Sequence, residues 1–412
     1  MTKWREVKLG DICEITSSKR IFMADYVASG IPFYRSKEII ERQRGNNITT
    51  ELFITEEKYE EIKQKFSVPQ EGDILLTSVG TLGIPYVVRK NERFYFKDGN
   101  LTWIKRSNNL LPEYLYYFLA SSEGKLKLEN ISIGTTQKAI TIVGLKSLEI
   151  PLPPLDVQKK IAGVLGALDD KIELNNRINN NLEQQAQALF NEKILNNPKQ
   201  GCIGDYCSIK SGFAFKSSWW QDAGVRVIKI KNIEPSRLNL QDCSYVSEDK
   251  VSIAKDFVVK GGDLLIAMTG ATIGKFAIVP HVDEILLVNQ RVGKFFLGDN
   301  PLEKLPFIYC TLKQPEVVSE IINRGQGSAQ PNISGNDIMS ITCIYPDENI
   351  ISDFNNICRP YFEKIIINQY ENTRLSALRD TLLPKLMSGK IDASNVDISA
   401  LTSTNKSSFT EE

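Results

Sequence analysis

The chain has 412 residues, 42% hydrophobic and 24% charged, with 50 basic residues balanced by 50 acidic ones. That length suits two or three ordinary domains of a soluble protein, and zero net charge gives no support for a generic nucleic-acid coat. No run is apolar enough to span a bilayer, and the opening MTKWREVKLG has no signal core, so no membrane partner is expected. Seven cysteines without a CxxC pair argue against a disulfide framework or a zinc site; a cytoplasmic protein with reduced thiols is expected.

Residues 1–154 read as a compact α+β domain. DILLTSV, closing at Val79, is a short apolar run bounded by glycines, as buried strands are. PEYLYYFLASSEGKL has helical spacing. The polar loop ISIGTTQKAI, Ile131 to Ile140, follows it. The cluster PLPPL then bars helix until about Asp156.

Residues 155–197 read as a long helix. Ile161, Leu165, Leu168, Ile172, Asn175, Asn179, Leu182, Ala186 and Leu189 alternate in steps of four and three, which is a heptad seam.

Residues 198–346 repeat the first domain. LGDICEI (Leu9 to Ile15) matches IGDYCSI (Ile203 to Ile209), and GIPFYRSKEI (Gly30 to Ile39) matches GVRVIKIKNI (Gly224 to Ile233), both at a shift of 194. EGDILLTSVGTLG matches GGDLLIAMTGATIG with one extra residue. GTTQKAI matches GSAQPNI at a shift of 193, so that Gln137 pairs with Gln330. An ordered series at a nearly constant shift marks an internal duplication.

Residues 347–390 give the second long helix, with Phe354, Cys358, Tyr361, Ile365, Asn368, Asn372, Leu375, Arg379 and Leu382 on the matching seam. Neither stripe is buried alone, so the helices should pair. A pseudo-two-fold between the units makes that coiled coil antiparallel, with the globular domains at its two ends. Asn175, Asn179, Asn368 and Asn372 then either meet near its centre, fixing register at a cost in stability, or face solvent while the seam drifts. Residues 391–412, rich in Ser, Thr, Asn and Asp, read as a flexible tail.

Catalytic signatures are absent from this sequence. The one histidine, His281, has no partners for a triad or a metal site. GATIGKF, Gly270 to Phe276, has three residues between its glycines and a Phe in place of the magnesium-binding Ser/Thr of a phosphate loop. No dinucleotide fingerprint or amino-methyltransferase loop is present.

The stretch IPLPPLDVQKKIAGVLGALDDKIELN, the ending LRDTLLPKLMSGKID and the two Gly-x-x-Gln loops together resemble the specificity subunit of Type I restriction-modification systems. The resemblance covers almost the whole chain, in the order domain, helix, domain, helix. It departs locally: Lys138-Ala139 stands where Pro331-Asn332 does in the second copy, and Arg379 where Ala186 does in the first. It implies two target-recognition domains that each read one half of a bipartite, asymmetric double-stranded DNA target, with the helices setting the gap. It further implies two modification subunits using S-adenosylmethionine and two ATP-driven restriction subunits. On that reading the chain holds no cofactor and no metal of its own; S-adenosylmethionine, ATP and Mg2+ belong to the partners. The alternative is a non-catalytic scaffold with two adhesive domains on a coiled-coil rod.

Candidate DNA contacts are polar and basic residues in the recurring loops. Arg35 and Lys37, with Lys229 and Lys231, are placed alternately along a strand, where they contact guanine or phosphate or else form a solvated face. Thr77, Ser78 and Thr81, with Met268, Thr269 and Thr272 opposite, lie in a Gly-bounded turn. Gln137, Lys138 and Gln330 lie in the shared loop, and Arg291 in the second domain. Gln137 and Gln330 either pair with adenine or brace their own loop. A residue shared by two different readers is a poor carrier of different information. Base reading is therefore expected where the copies diverge: Lys19 to Ala24, with Lys19 and Arg20, against Phe213 to Trp219, with Lys216.

Overall fold

The structure is a computed structural model, and it describes residues 4–43, 48, 50–135, 138–326, 331–393 and 396. The chain divides into two compact units, residues 1–173 with 375–412, and residues 174–374.

In the first unit, Arg5–Lys8 pairs antiparallel with Glu149–Leu152, so the start and end of the globular part are tied together. An antiparallel sheet follows the order Ile15–Thr16, Leu101–Ile104, Ile74–Thr77, Pro85–Val87. The two central strands are buried at every residue, as the unbroken apolar run in the sequence requires. A second sheet has the order Tyr26–Val27, Phe53–Ile54, Ile31–Tyr34, Tyr95–Phe96, the last pair parallel. Helices Pro112–Ala120 and Ser122–Asn130 cover the first sheet's core.

The second unit repeats this plan. Gln200–Cys202 pairs with Thr342–Ile344. One sheet runs Ser208–Ser211, Val292–Phe296, Leu264–Ala267, Phe276–Ile278, and the other runs Trp220–Gln221, Ser244–Val246, Val225–Ile228, Leu286–Val288, Val258–Val259. The parallel pair recurs between Val225–Ile228 and Leu286–Val288. The edge strand Val258–Val259 is an addition, as is the hairpin Ile233–Glu234 with Arg237–Leu238, which stands where the first unit has helix Ser36–Gln43.

The recurring Gly-Asp dipeptide has a structural cause. Gly72 and Gly262 take positive φ, 86° and 90°, to make a tight turn, and the aspartate that follows each is buried. Asp73 accepts from the Gln70 N–H at 2.8 Å, the Trp103 Nε1–H at 2.9 Å and the Arg106 N–H at 2.9 Å. Asp263 accepts from the Lys260 N–H at 2.9 Å and is paired with Lys294 Nζ at 3.1 Å. Lys294 occupies the sheet position of Trp103, so the turn survives while its partner changes.

The long helices span Leu155–Phe190, continued by a π turn Asn191–Leu195, and Glu348–Met387. Gln158 explains the fixed spacing after the prolines. It is buried, accepts from the Leu111 N–H at 2.8 Å, and donates to the carbonyls of Asn109 at 3.2 Å and Pro153 at 2.8 Å. It thereby pins the helix start to the start of Pro112–Ala120. Asn355 serves the second unit similarly, accepting from the Phe307 N–H at 2.9 Å and donating to Tyr206 Oη at 2.9 Å.

The helices are antiparallel where they meet. In the first unit Ile161 and Leu165 share a core with Leu383, Leu386 and Met387, Leu168 is fully buried, and Arg379 Nη1 reaches Asp169 Oδ1 at 2.7 Å. Arg379 thus departs from Ala186 of the other copy because it has its own carboxylate. In the second unit Phe190 and Ala186 pack with Phe354, Cys358, Phe362 and Ile365, and Leu182 lies at the edge of that core. Asn175, Asn179 and Asn368 are buried and Asn372 is half-buried. Asn368 Nδ2 donates to Asn179 Oδ1 at 2.8 Å; Asn175 Nδ2 donates to Asn372 Oδ1 at 2.9 Å; Asn372 Nδ2 donates to Asn176 Oδ1 at 2.9 Å. The asparagines therefore face one another, as the buried alternative expects.

The seam needs correction at four positions. Ile172, Leu189, Tyr361 and Leu382 are only half-buried, whereas their neighbours Phe190, Phe362 and Leu383 are buried and Leu375 keeps its expected place. A 3.6-residue helix does not match a strict 3.5 pattern, and the buried stripe is locally off by one residue at Phe190, Phe362 and Leu383 while Ile365, Asn368 and Leu375 stay on it. The expected tail also begins later: Ala393 is buried in the first unit's core, and Ile391 and Val396 pack against it. These apolar residues cover the last helical turns beyond Gly389, whose φ of 67° ends the helix.

Candidate nucleic-acid interface

In each unit five loops are joined by hydrogen bonds at one end of the first sheet. In the first unit the Asn100 carbonyl accepts from the Ser78 N–H at 2.8 Å and from Ser36 Oγ at 3.3 Å, and the Ser78 carbonyl accepts from the Ile140 N–H at 2.9 Å. The Lys19 N–H donates to Tyr95 Oη at 2.7 Å. Loops 17–22, 35–38, 78–82, 97–100 and 138–140 thus form one surface. In the second unit the Phe213 N–H bonds to Val288 O at 2.8 Å, Asn289 N–H to Ile228 O at 2.9 Å, Met268 N–H to Arg291 O at 3.0 Å, Gly270 N–H to Pro331 O at 2.9 Å, and Ile333 N–H to Met268 O at 2.9 Å. The equivalent loops 212–219, 229–232, 268–272, 289–291 and 331–333 are joined here by main-chain bonds alone.

Most candidates lie on these surfaces. Lys19 is exposed, with Nζ 4.6 Å over the Phe66 ring. Arg20 is paired with Asp98 at 3.0 Å, and exposed Lys138 with Glu129 at 2.7 Å. Thr81 is exposed at the tip of its turn. In the second unit Lys216, Lys231 and Arg291 are exposed. Lys216 lies over the Trp219 ring at 5.5 Å and Lys229 over the Trp220 ring at 3.5 Å. Burial, then the charge of Lys231, lowers the Lys229 pKa. Thr272 Oγ1 donates to the Thr269 carbonyl at 3.1 Å, while Thr269 Oγ1 is enclosed without a hydrogen-bond partner among the described residues. Gln137 and Gln330 lie outside the described residues.

Two readings are overturned. Thr77 and Ser78 are buried braces and not surface groups: Thr77 Oγ1 accepts from the Ile84 N–H at 2.9 Å, and Ser78 Oγ lies 2.6 Å from Thr102 Oγ1. Met268 is likewise buried. Nor do the basic pairs alternate along a strand. The strands stop at Tyr34 and Ile228, Lys37 lies on helix Ser36–Gln43 facing Glu41 at 3.8 Å, and Lys231 lies in the turn Ile230–Asn232. The cause is a buried side chain at the matching position in each copy. Glu38 accepts from the Arg35 N–H at 2.8 Å and holds the Arg35 guanidinium at 2.6 Å. Asn232 accepts from the Lys229 N–H at 2.9 Å and donates to the Asn239 carbonyl at 3.0 Å. Burial raises the Glu38 pKa, but the hydrogen bonds from Arg35 outweigh it and hold the carboxyl below its ordinary range.

Lys97 and Gln290 are exposed on the same surfaces and were missed. Gln290 is oriented by Asn289, whose Nδ2 donates to Gln290 Oε1 at 2.8 Å. The signal was there in NQR, a polar tripeptide between two apolar runs.

No group of three or more potential metal ligands occurs among the described residues, and no helix among them is long and apolar enough to cross a membrane. Five buried thiols are held protonated: burial pushes Cys13 and Cys243 up to about 11, and Cys207, Cys343 and Cys358 up to about 12.

The Type I restriction modification DNA specificity domain matches residues 1–184 and again 197–368. The chain belongs to this specificity family. The MjaIX specificity subunit of Methanocaldococcus jannaschii is 28% identical, across 94% of this chain and 93% of its own length. The HindI specificity subunit of Haemophilus influenzae is 24% identical, across 95% of this chain and 100% of its own length. The crystal structure of a Type I restriction-modification S subunit from M. genitalium shares the fold, with a TM-score of 0.55 at 18% identity, covering 93% of this chain and 96% of that one. In this specificity-family chain, therefore, the two matched domains carry the two joined-loop surfaces.

Proposed function

We propose that this chain is the DNA sequence-recognition subunit of a Type I restriction-modification complex. Each unit reads one half of a bipartite, asymmetric target through its joined loops, and the paired helices set the unread gap and dock two modification subunits. Two restriction subunits complete the assembly. S-adenosylmethionine, ATP and Mg2+ act on those partners, and this chain performs no chemistry itself.

One observation carries the reading: the same five-loop surface is built twice on the same frame, with different side chains at the tips. At the shift of 194, Lys19, Arg20, Phe22 and Met23 stand in one copy against Phe213, Ala214, Lys216 and Ser217 in the other. A common frame with unlike tips suits two unlike half-sites. Partner subunits bring phosphate attraction that a neutral chain lacks. Mixing the chain with its modification subunit and a random duplex library tests the proposal. The expected product is a ternary complex enriched in one split sequence, and failure to retain any duplex leaves the scaffold reading in its place.

A further inference from the structure

The loop Lys19 to Ala24 of the first unit holds two large apolar side chains in solvent. Phe22 is 65% exposed and Met23 90% exposed. The loop carrying them is fixed at both ends. The Lys19 N–H is bonded to Tyr95 Oη at 2.7 Å, Arg20 is paired with Asp98 at 3.0 Å, and Ile21 is buried in the core beneath. Asp25 Oδ2 accepts from the Phe22 N–H at 3.1 Å, and Lys58 lies 3.8 Å from Asp25. A pinned turn that offers a Phe and a Met to water, with Phe66 beside it under Lys19, is built for a partner outside the chain.

We infer that Phe22 and Met23 form an apolar wedge that enters the duplex at the first half-site and unstacks one base step there. This rests on the reading of the chain as a DNA-recognition subunit. Apolar side chains inserted between base steps are an established way to bend and read DNA. Lys19 and Arg20 stand beside the wedge, where the phosphates of an opened step pass. Lys19 Nζ has no carboxylate partner among the described residues.

The second unit argues against a protein partner at this corner. At the shift of 194, Lys216 and Ser217 stand in place of Phe22 and Met23, and both are exposed. Its aromatic residues, Trp219 and Trp220, are half-buried beneath Lys216, Lys250 and Lys229. A surface that docks two copies of one subunit is alike in both units. This corner is apolar in one and polar in the other, as a reader of unlike half-sites is. The wedge therefore belongs to the first half-site alone.

The test uses the full chain assembled with its modification subunits on the duplex selected from the random library. 2-Aminopurine is placed in turn at each position of both half-sites. Apart from the target adenines that the modification subunits extrude in either half, the wild-type complex should raise fluorescence at one step of the first half-site and at none of the second. Phe22→Ala with Met23→Ala should abolish that rise and weaken binding about tenfold to a hundredfold, with the second half-site's preference intact. Both residues are exposed, so the melting temperature should not change. Unchanged fluorescence and affinity in the double variant overturn the wedge alone. Loss of modification-subunit assembly in that variant, with no effect on base stacking, assigns the patch to protein docking and also overturns it. A library that yields no half-site overturns the DNA-reader reading and the wedge with it.

Discussion

Replacing the Asn179–Asn368 pair tests the polar centre of the helix pairing. Asn368 is fully buried, donates from Nδ2 to Asn179 Oδ1 at 2.8 Å, and leaves its own Oδ1 without a partner among the described residues. Asn179→Leu newly strands the Nδ2 of Asn368, whose Oδ1 is already unpaired in the parent, and a buried unpaired group costs about 1–3 kcal/mol, so the single variant should lose about 2 kcal/mol. Asn368→Leu strands only the oxygen of Asn179, which is slightly more exposed, and should lose about 1–2 kcal/mol. The double leucine variant removes both orphans and adds apolar burial, so it should equal or exceed the parent in stability. The coupling is therefore about 3 kcal/mol in favour of the double variant, far beyond the ~0.5 kcal/mol within which independent sites add. Hydrogen-exchange mass spectrometry on peptides covering residues 174–190 and 361–374 reads the opening free energy directly. Simple additivity of the two losses would refute the reasoning. The gain should come at the expense of register, because a buried asparagine pair is what one fixed alignment requires.

Three further outcomes follow from buried groups. Asp73→Ala leaves the Gln70 and Arg106 N–H groups and the Trp103 indole unpaired, so the first unit should lose about 3 kcal/mol and melt about 10 °C lower, as calorimetry would show. Because the Glu38 pKa is lowered in the folded chain, its contribution is full above the unfolded carboxyl value and is lost as pH falls through the folded one. Acid titration of stability below about pH 4.5 should therefore be shallower in Glu38→Gln, and an unchanged slope would contradict the ion pair with Arg35. Of the seven cysteines six are buried, so a thiol reagent should modify Cys202 alone in the native chain and all seven after denaturation.

The duplication was legible because it rests on turn chemistry: Gly72-Asp73 and Gly262-Asp263 recur where positive φ and a buried carboxylate are both needed. The helix pairing was legible because Asn175, Asn179, Asn368 and Asn372 interrupt an otherwise apolar stripe at matching positions. The strand ends were not, since Glu38 and Asn232 look like surface polar residues and become caps only when the strand packs above them. Thr77 and Ser78 misled for a related reason. Small polar residues beside a glycine suggest an exposed turn, yet here each hydroxyl is consumed by a neighbouring strand or loop. Seam drift at Phe190 and Phe362 follows from helix geometry, and a strict heptad count hides it. The loop surface itself depends on contacts between segments far apart in the chain, such as Ser78 with Asn100, which local pattern cannot supply.

Exchanging residues 1–150 for the equivalent domain of a relative, followed by methylome sequencing of cells carrying the chain and its modification subunit, tests the central claim most directly. The account predicts methylated adenine in a split, asymmetric sequence in which the exchange alters one half and leaves the other half and the gap unchanged. Alteration of both halves, or methylation indifferent to the exchange, would contradict it.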